Sequence, residues 1–218
     1  AAMNRTQDSF APTEAKLKEM NAEYGFFACD SIDQSSVTSA FAAAKAALGP
    51  VEVLIYNAGG GGFGPTVLEI DPVAFVQSFN ISCLAALLCS QAVLPDMLAS
   101  EGSGTHAVKK KGTILFSSAT SAFRGTATTA QFACGKFALR ALSQSIAKEY
   151  GKQGVHACHI RLDCGLDTPS NVARYPQAVE GNKFGVTADI AESYYAMYEQ
   201  SPLGWSNEID IRPFQAGW

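Results

Sequence analysis

A glycine-rich stretch at residues 59–64 is one feature of this sequence with a recognisable chemical use. Glycines at positions 59, 61 and 64 have the spacing with which a dinucleotide-binding turn approaches a pyrophosphate. Such a turn leads directly into a helix N-terminus, whose free N–H groups bind the phosphates. Here the next helix signal is Asp71-Pro72. We therefore interpret these glycines as letting the backbone pass close to a ligand, not as a pyrophosphate site.

Two histidines and two cysteines between positions 156 and 164 raise the question of a metal ion. His156, Cys158, His159 and Cys164 fall mainly on a strand-like segment, where alternation sends side chains to opposite faces. Their spacing also differs from that of zinc sites. The sequence predicts no metal site. The six cysteines, most of them in apolar stretches, are expected to be reduced core thiols.

Several segments, taken in order, resemble the short-chain dehydrogenase/reductase family. Asn57-Ala58-Gly59 follows an apolar strand, as the family's Asn-Ala-Gly motif does, and Cys29-Asp30 resembles the acid on the adenine side of the cofactor. Asn80 resembles the family's helix asparagine. Residues 112–118 resemble the strand that leads to the catalytic serine. Lys136 resembles the lysine of Tyr-x-x-x-Lys, and Thr168 resembles a threonine that contacts the cofactor. The resemblance covers essentially the whole chain, and the ordered combination is far more specific than any one segment.

The resemblance implies a fold and a reaction. The fold is a three-layer α/β, Rossmann-type, doubly wound parallel sheet, here one domain over residues 1–218. The reaction is hydride transfer with NAD or NADP, in which a tyrosine moves the substrate proton. A lysine lowers the pKa of that tyrosine and holds the nicotinamide ribose, while a serine orients the carbonyl and an asparagine holds a water. The implied catalytic positions are Asn80, Ser118, Phe132 and Lys136, and the implied cofactor-binding residues are Asp30, Asn57, Ala58, Gly59, Lys136 and Thr168.

Three departures from the family pattern bear on catalysis. Phe132 stands at the tyrosine position; it shares a helical face with Lys136, four residues on, but carries no hydroxyl. Counting back from Gly125, the position of the family's catalytic serine falls on Ala119. Ser118 takes that role only if the following loop is one residue longer than in the family. The family's Pro-Gly turn reads Asp163-Cys164. Because a positioned general acid contributes about 10²–10⁴-fold, we expect impaired catalysis.

Different classes of function stay open at this stage. The chain is either a divergent, slow oxidoreductase of the family or a non-catalytic subunit kept for its surface. A nucleotide-binding sensor without turnover lies between them. The retained Asn57, Asn80, Lys136 and Thr168 favour descent from an enzyme, whereas Phe132 and Ala119 favour the non-catalytic alternative.

The family's first strand, glycine-rich turn and first helix have no counterpart in this sequence. The chain begins near residues 1–5, which resemble the end of the second strand and the basic residue after it. Since the first strand is central in the order 3-2-1-4-5-6, its absence would split the sheet. We expect a gap or a foreign strand between strands 24–29 and 51–56, and weak or no dinucleotide binding by the chain as given. Arg5 favours the 2′-phosphate of NADP.

Hydrophobic periodicity predicts strands that alternate with helices, which is typical of a parallel sheet covered on both faces. Thr13 is the expected cap of the first helix, and Pro95 a possible kink in the third. Residues 81–88 are apolar on nearly every side, so helices 72–100 and 130–150 are expected to pack against another subunit or a partner. The predicted strands are 24–29, 51–56, 112–117, 155–162 and 208–213, and the predicted helices 13–22, 35–48, 72–100, 130–150 and 188–200.

Composition excludes some functions. The net charge is −4 and the only basic run is three lysines at 109–111, which indicates no nucleic-acid binding. No uninterrupted apolar run reaches the ~18 residues of a membrane span, and no signal-peptide pattern opens the chain. We expect a soluble intracellular protein of the cytoplasm or an organelle matrix.

Overall fold

Strands and helices alternate along the chain. The structure, a computed structural model, describes residues 1–6, 10–59 and 64–216. A π-helical turn, Asn80–Leu84, joins α3 to α4 and is called the π-turn below. The strands are β1 (Ala2–Asn4), β2 (Phe26–Ala28), β3 (Val53–Tyr56), β4 (Gly112–Ala119), β5 (Val155–Leu162), β6 (Gly165–Leu166), β7 (Phe184–Gly185) and β8 (Glu208–Ile211). The helices are α1 (Ala11–Glu19), α2 (Gln34–Leu48), α3 (Pro72–Phe79), α4 (Ala85–Ala99), α5 (Ala130–Tyr150), α6 (Pro169–Arg174), α7 (Pro176–Glu180) and α8 (Thr187–Glu199).

The main sheet is parallel, with strand order β3-β4-β5-β8. Its central strands β4 and β5 are buried over most of their length, as expected when helices cover both faces of a parallel sheet. The larger core lies under α2, α4 and α5. The smaller core lies on the other face under α8, which contributes Ile190 and Tyr194. The predicted three-layer, Rossmann-type α/β fold is confirmed.

The strands β1 and β2 form a separate parallel pair, with Ala2 opposite Phe26 and Asn4 opposite Ala28. No ladder joins β2 to β3 in the described residues, and the predicted break between these two strands is confirmed. A cleft of about 790 Å³ lies at this break, lined by residues of β1, of β3 and of the loop after β2. We call it the interstrand cleft.

Local signals account for most helix ends. Asp33 caps α2, its carboxylate accepting the N–H of Ser35 at 2.8 Å, and α2 ends at Gly49, whose φ is +85°. The bounds 130–150 and 155–162 predicted for α5 and β5 agree with the structure. The cap predicted at Thr13 is wrong: α1 begins two residues earlier, with proline in its first turn and Phe10 at the N-cap.

The segment predicted as helix 72–100 is irregular at the π-turn, while Pro95 lies inside α4. The stretch Pro72–Ala99 has 28 residues and is, by length and composition, able to cross a membrane. It packs here against α5 and the main sheet. Since core helices pass the same test, these properties alone do not indicate a membrane span. The region 170–187, for which no elements were predicted, contains α6, α7 and the short strand β7.

Candidate functional site

The interstrand cleft brings together four of the predicted cofactor-binding residues. Asp30 follows β2, and Asn57, Ala58 and Gly59 follow β3, so all lie at the carboxyl ends of parallel strands. Ligands of open α/β sheets bind at this edge. Arg5, after β1, lines the same cleft and supplies a cation there. Residues 60–63 of the glycine-rich stretch lie outside the described residues, and α3 begins well after it, at Pro72.

The loop after β2 is held by its own hydrogen bonds. The backbone N–H of Asp30 donates to Ser36 Oγ at 2.9 Å, which ties the strand end to the first turn of α2. The Asp30 carboxylate accepts the N–H of Ile32 at 3.3 Å. This arrangement fixes the position of the Asp30 backbone beside the cleft and leaves the carboxylate partly exposed.

Lys136 lies in the middle of α5 with only 5% of its surface exposed. Its Nζ donates to the backbone carbonyl of Ser117 at 3.1 Å. A Cβ placed on Gly59 would stand 3.3 Å from the same Nζ, so the amine reaches the chain segment that lines the interstrand cleft. Burial lowers the pKa of Lys136 from 10.5 to about 8. The amine therefore exists in both protonation states near pH 8.

Phe132 lies one turn before Lys136 on the same face of α5, as predicted. The Lys136 Nζ is 5.6 Å from the centre of the Phe132 ring. A ring face attracts a cation but has no proton to give. The buried Lys136 amine therefore lies beside the Phe132 ring, which can contact a ligand but cannot donate or accept a proton.

The serines of β4 point into the protein. Ser117 Oγ shares a hydrogen bond with Tyr194 of α8 at 2.7 Å. The Ser118 hydroxyl is buried, and no hydrogen-bond partner for it exists among the described residues. Alternation along the strand places Ser118 on the face of Phe116, under α5. The pairing of β4 with β5 is regular through Ala119, so no bulge turns Ser118 outward; its catalytic role stays a prediction.

Asn80 begins the π-turn. Turns of this type are rare and frequently mark functional sites. The Tyr56 hydroxyl, at the end of β3, donates to the Ile81 carbonyl at 2.5 Å and so links the π-turn to the strand that carries Asn57. On the other side, a Cβ on Gly135 would lie only 2.7 Å from Ser82 Cβ, which shows how closely α5 and the π-turn pack. Asn80 is thereby held near α5, and among the described residues the Lys136 amine donates its hydrogen bond to Ser117 and not to Asn80.

Thr168 caps α6, and its hydroxyl accepts the N–H of Asn171 at 3.4 Å. It does not line the interstrand cleft, and neither do Ser118, Phe132, Asn80 or Lys136. The structure therefore divides the predicted set into a group in the cleft and a group on α5, β4 and the π-turn. The contact between Gly59 and Lys136 connects the two.

Two polar groups make contacts that the sequence analysis did not predict. Asp163 stands at the position of the proline in the family's Pro-Gly turn. Its carboxylate accepts a hydrogen bond from the Thr120 hydroxyl and pairs with Arg212 at 3.0 Å. His159 is fully buried beside Glu208. The contacts of both groups involve residues that are distant in sequence. The only local signal was that Asp163 is a charged residue in a turn. Among the described residues, no three histidine, cysteine or acidic side chains form a metal-binding group.

Comparisons with known proteins identify relatives of this chain. Among curated relatives, a 3beta-hydroxysteroid dehydrogenase from Mediterraneibacter gnavus is 24% identical over 77% of this chain and 57% of its own length. The inactive 2-(S)-hydroxypropyl-CoM dehydrogenase 2 from Xanthobacter autotrophicus is 26% identical over 84% of this chain and 80% of its own. The match with the first of these thus spans little more than half of that relative.

Solved structures share the fold. A short-chain dehydrogenase from Rhodopseudomonas palustris superposes with a TM-score of 0.78 at 28% identity, over 98% of this chain and 85% of its own. A metagenomic short-chain oxidoreductase in complex with NADP has a TM-score of 0.78 at 21% identity, over 97% of this chain and 83% of its own. The sequence model of the short chain dehydrogenase family matches residues 1–176. On these grounds, this chain belongs to the short chain dehydrogenase family.

Proposed function

We propose that this chain is an NAD(P)-dependent oxidoreductase domain in which proton transfer to the substrate is impaired. The observation that carries the proposal is the pair on α5. Lys136 is buried and directed at the cofactor side of the domain, while its neighbour at 5.6 Å is the Phe132 ring. A lysine with no phenol beside it retains the binding part of the family's chemistry and lacks its general acid.

The residues present fit a dinucleotide. The interstrand cleft runs along β1 and β3, and Arg5, Asp30 and Asn57 line it where the strands end. In the proposal, Arg5 pairs with the 2′-phosphate of NADP, Asp30 lies on the adenine side, and residues 57–59 present backbone to the cofactor. Gly59 leaves room for the Lys136 amine to reach the ribose. A bound nicotinamide would supply or accept the hydride, and in the proposal Thr168 contacts its carboxamide.

The protein's own part in the reaction follows from two side chains. Lys136 donates through Nζ and, with a pKa of about 8, can also release a proton near neutral pH. Ala119 offers no hydroxyl to a carbonyl oxygen, and the Ser118 hydroxyl is buried on the α5 side. Lys136 replaces at most one of the two missing functions, so we propose turnover well below that of a member with tyrosine and serine in place.

The test compares Phe132→Tyr with Phe132→Leu, a control that removes the ring without adding a hydroxyl. Reduction of a set of aldehydes and ketones is followed by NADPH and NADH oxidation at millimolar cofactor. Phe132→Tyr should raise the rate by up to about 10²–10⁴-fold, because it restores a placed acid. Phe132→Leu should leave the rate low. Brisk turnover by the unchanged protein that also survives Lys136→Ala would show that the active site lies elsewhere.

Cofactor binding is a separate measurement. We propose that this chain binds dinucleotides weakly, because the described cleft contains no helix N-terminus that meets a pyrophosphate. Titration of NADPH fluorescence should give dissociation constants well above the micromolar range. Micromolar binding of either dinucleotide would contradict this part of the proposal.

A non-catalytic role in an assembly is the second candidate, and one observation favours it. An apolar surface is exposed on α3 and α5, formed by Val73 (74% exposed), Val76, Phe79 and Phe137. Such a contiguous apolar surface marks an interface more often than free surface. We propose that it packs against the same helices of a second copy. One relative of this chain is named as an inactive dehydrogenase, which is compatible with a family member that is kept without turnover.

Sedimentation tests the assembly. Val76→Glu and Phe137→Glu should shift an oligomer to monomer, because each places a charge in the proposed interface. Leu68→Glu is the matched control, since Leu68 is 99% exposed outside these helices. A monomer at every concentration, or dissociation by the Leu68 variant alone, would refute the interface. We also propose an intracellular location, supported by six cysteines that are all free.

A further inference from the structure

The amine of Lys136 has an unusual set of neighbours. It is buried, and its Nζ makes one hydrogen bond, to the Ser117 carbonyl at 3.1 Å. Within residues 1–6, 10–59 and 64–216 no carboxylate pairs with it. Buried lysines normally need such a partner to remain charged. Here burial raises the share of the neutral amine, which has a lone pair, above that of an exposed lysine.

The Phe132 ring places no hydroxyl beside the amine. It presents hydrocarbon at 5.6 Å where a hydroxyl would otherwise compete for the amine. Burial brings the pKa of Lys136 to about 8, so about half of the chains carry a neutral amine at pH 8. An ordinary lysine with a pKa of about 10.4 is about 0.4% neutral at that pH. The difference in available nucleophile is about a hundredfold.

Gly59 provides the approach. A Cβ at this position would stand 3.3 Å from the Lys136 Nζ, closer than nearly all real Cβ contacts. The amine therefore lies within contact distance of Gly59, which lines the interstrand cleft. Asn57, Ala58 and Gly59 are all exposed, so a small molecule at the end of β3 meets the amine across a glycine.

We propose that Lys136 is a nucleophilic amine that captures small aldehydes and ketones as a Schiff base. The Nζ lone pair attacks the carbonyl carbon, and the C=O electron pair moves to oxygen, which takes a proton. The resulting carbinolamine loses water and leaves a C=N bond on Lys136. No oxidant, reductant or dinucleotide takes part. The activity is thus separate from hydride transfer, and it holds or fails independently of the proposed function.

The test traps the imine. The protein is incubated with propanal and sodium cyanoborohydride at pH 8 without cofactor, and the N-propylated lysines are located by peptide mass mapping. Lys136 should be modified tens of times faster than Lys148, an exposed lysine on the same helix. Its rate should rise with pH to a plateau above about pH 8. Modification of Lys148 and other exposed lysines while Lys136 remains unmodified would overturn the proposal.

A variant tests the geometric part. Gly59→Val fills the approach without changing any titratable group, and it should lower the rate at Lys136 at least tenfold while leaving that at Lys148 unchanged. Circular dichroism of the variant confirms that it is folded. An unchanged rate at Lys136 in the folded Gly59→Val protein would refute the approach across Gly59. Lys136→Arg is the assignment control: the adduct on its peptide must disappear, and an adduct that persists there would refute Lys136 as the nucleophile.

Discussion

His159, in β5, should make the fold sensitive to acid. The side chain is 0% exposed, and neither ring nitrogen has a hydrogen-bond partner among the described residues. Burial lowers the pKa of His159 from 6.5 to about 4. The Glu208 carboxylate, 3.7 Å from Nδ1, acts in the opposite direction, but Arg140 already binds it at 2.6 and 3.0 Å. Arg140, Lys136 and Arg161 add their positive charges to the depression.

The sign and size of the effect follow from linkage. Between pH 6.5 and about 4 the unfolded chain binds a proton at His159 that the folded chain does not bind. Acidification through this window therefore stabilises the unfolded state. At about 1.4 kcal/mol per pH unit, the full interval corresponds to about 3 kcal/mol of unfolding free energy. Below pH 4 the contribution of this group is constant.

The assay is urea unfolding at pH 4, 5, 6 and 7 for the parent and for His159→Leu. We expect the difference in unfolding free energy between the two proteins to change by about 3 kcal/mol across the window, in favour of the variant as pH falls. His156, whose pKa is also lowered by burial, is present in both proteins and cancels. His106→Gln, at an exposed histidine, should follow the parent. Parallel pH profiles for the parent and His159→Leu would refute the reasoning.

Three further predictions concern the packing around the site. Gly135→Ala should destabilise by about 1–3 kcal/mol in urea unfolding, because its Cβ would meet Ser82 Cβ at 2.7 Å; Gly125→Ala, with open space around it, should be nearly neutral, and equal effects would show that α5 and the π-turn are not closely packed. Asp71→Ala should cost about 1 kcal/mol through lost hydrogen bonds to the first turn of α3, and Asp71→Asn should retain most of that stability. Lys136→Met should raise stability at pH 7, because it removes a buried charge that no carboxylate pairs with in the described chain; a loss of stability would contradict the assigned burial.

Much of the site could be placed from the sequence, because its residues sit at element ends that local signals define. The apolar run before Asn57 predicts a strand, and the parallel sheet then carries Asn57 and Asp30 to the same edge. The four-residue spacing of Phe132 and Lys136 predicts a shared helical face, and the structure has them together. The surroundings of the Ser118 and Thr168 hydroxyls could not be predicted, because strand alternation buries the first under α5 and the second caps α6.

Sequence alone determined the longer elements and their type, though not α6, α7 or β7. The bounds of α5 and β5 follow from the hydrophobic periodicity of the sequence and from the glycine that follows the helix. Both signals come from residues that are close together in the chain. The sequence also predicted that β2 and β3 do not pair, since in the order 3-2-1-4-5-6 the absent first strand would lie between the β1–β2 pair and β3. The elements themselves depend on local interactions, which a short segment expresses by itself.

Only the tertiary structure decided the electrostatics. The depressed pKa values of Lys136 and His159 depend on which side chains from other elements cover them, and no pattern along the chain encodes that burial. The π-turn likewise depends on Tyr56 and Gly135, which reach it from β3 and α5. Desolvation and close packing are set by every neighbour in three dimensions, so they appear only when the distant parts of the chain are assembled.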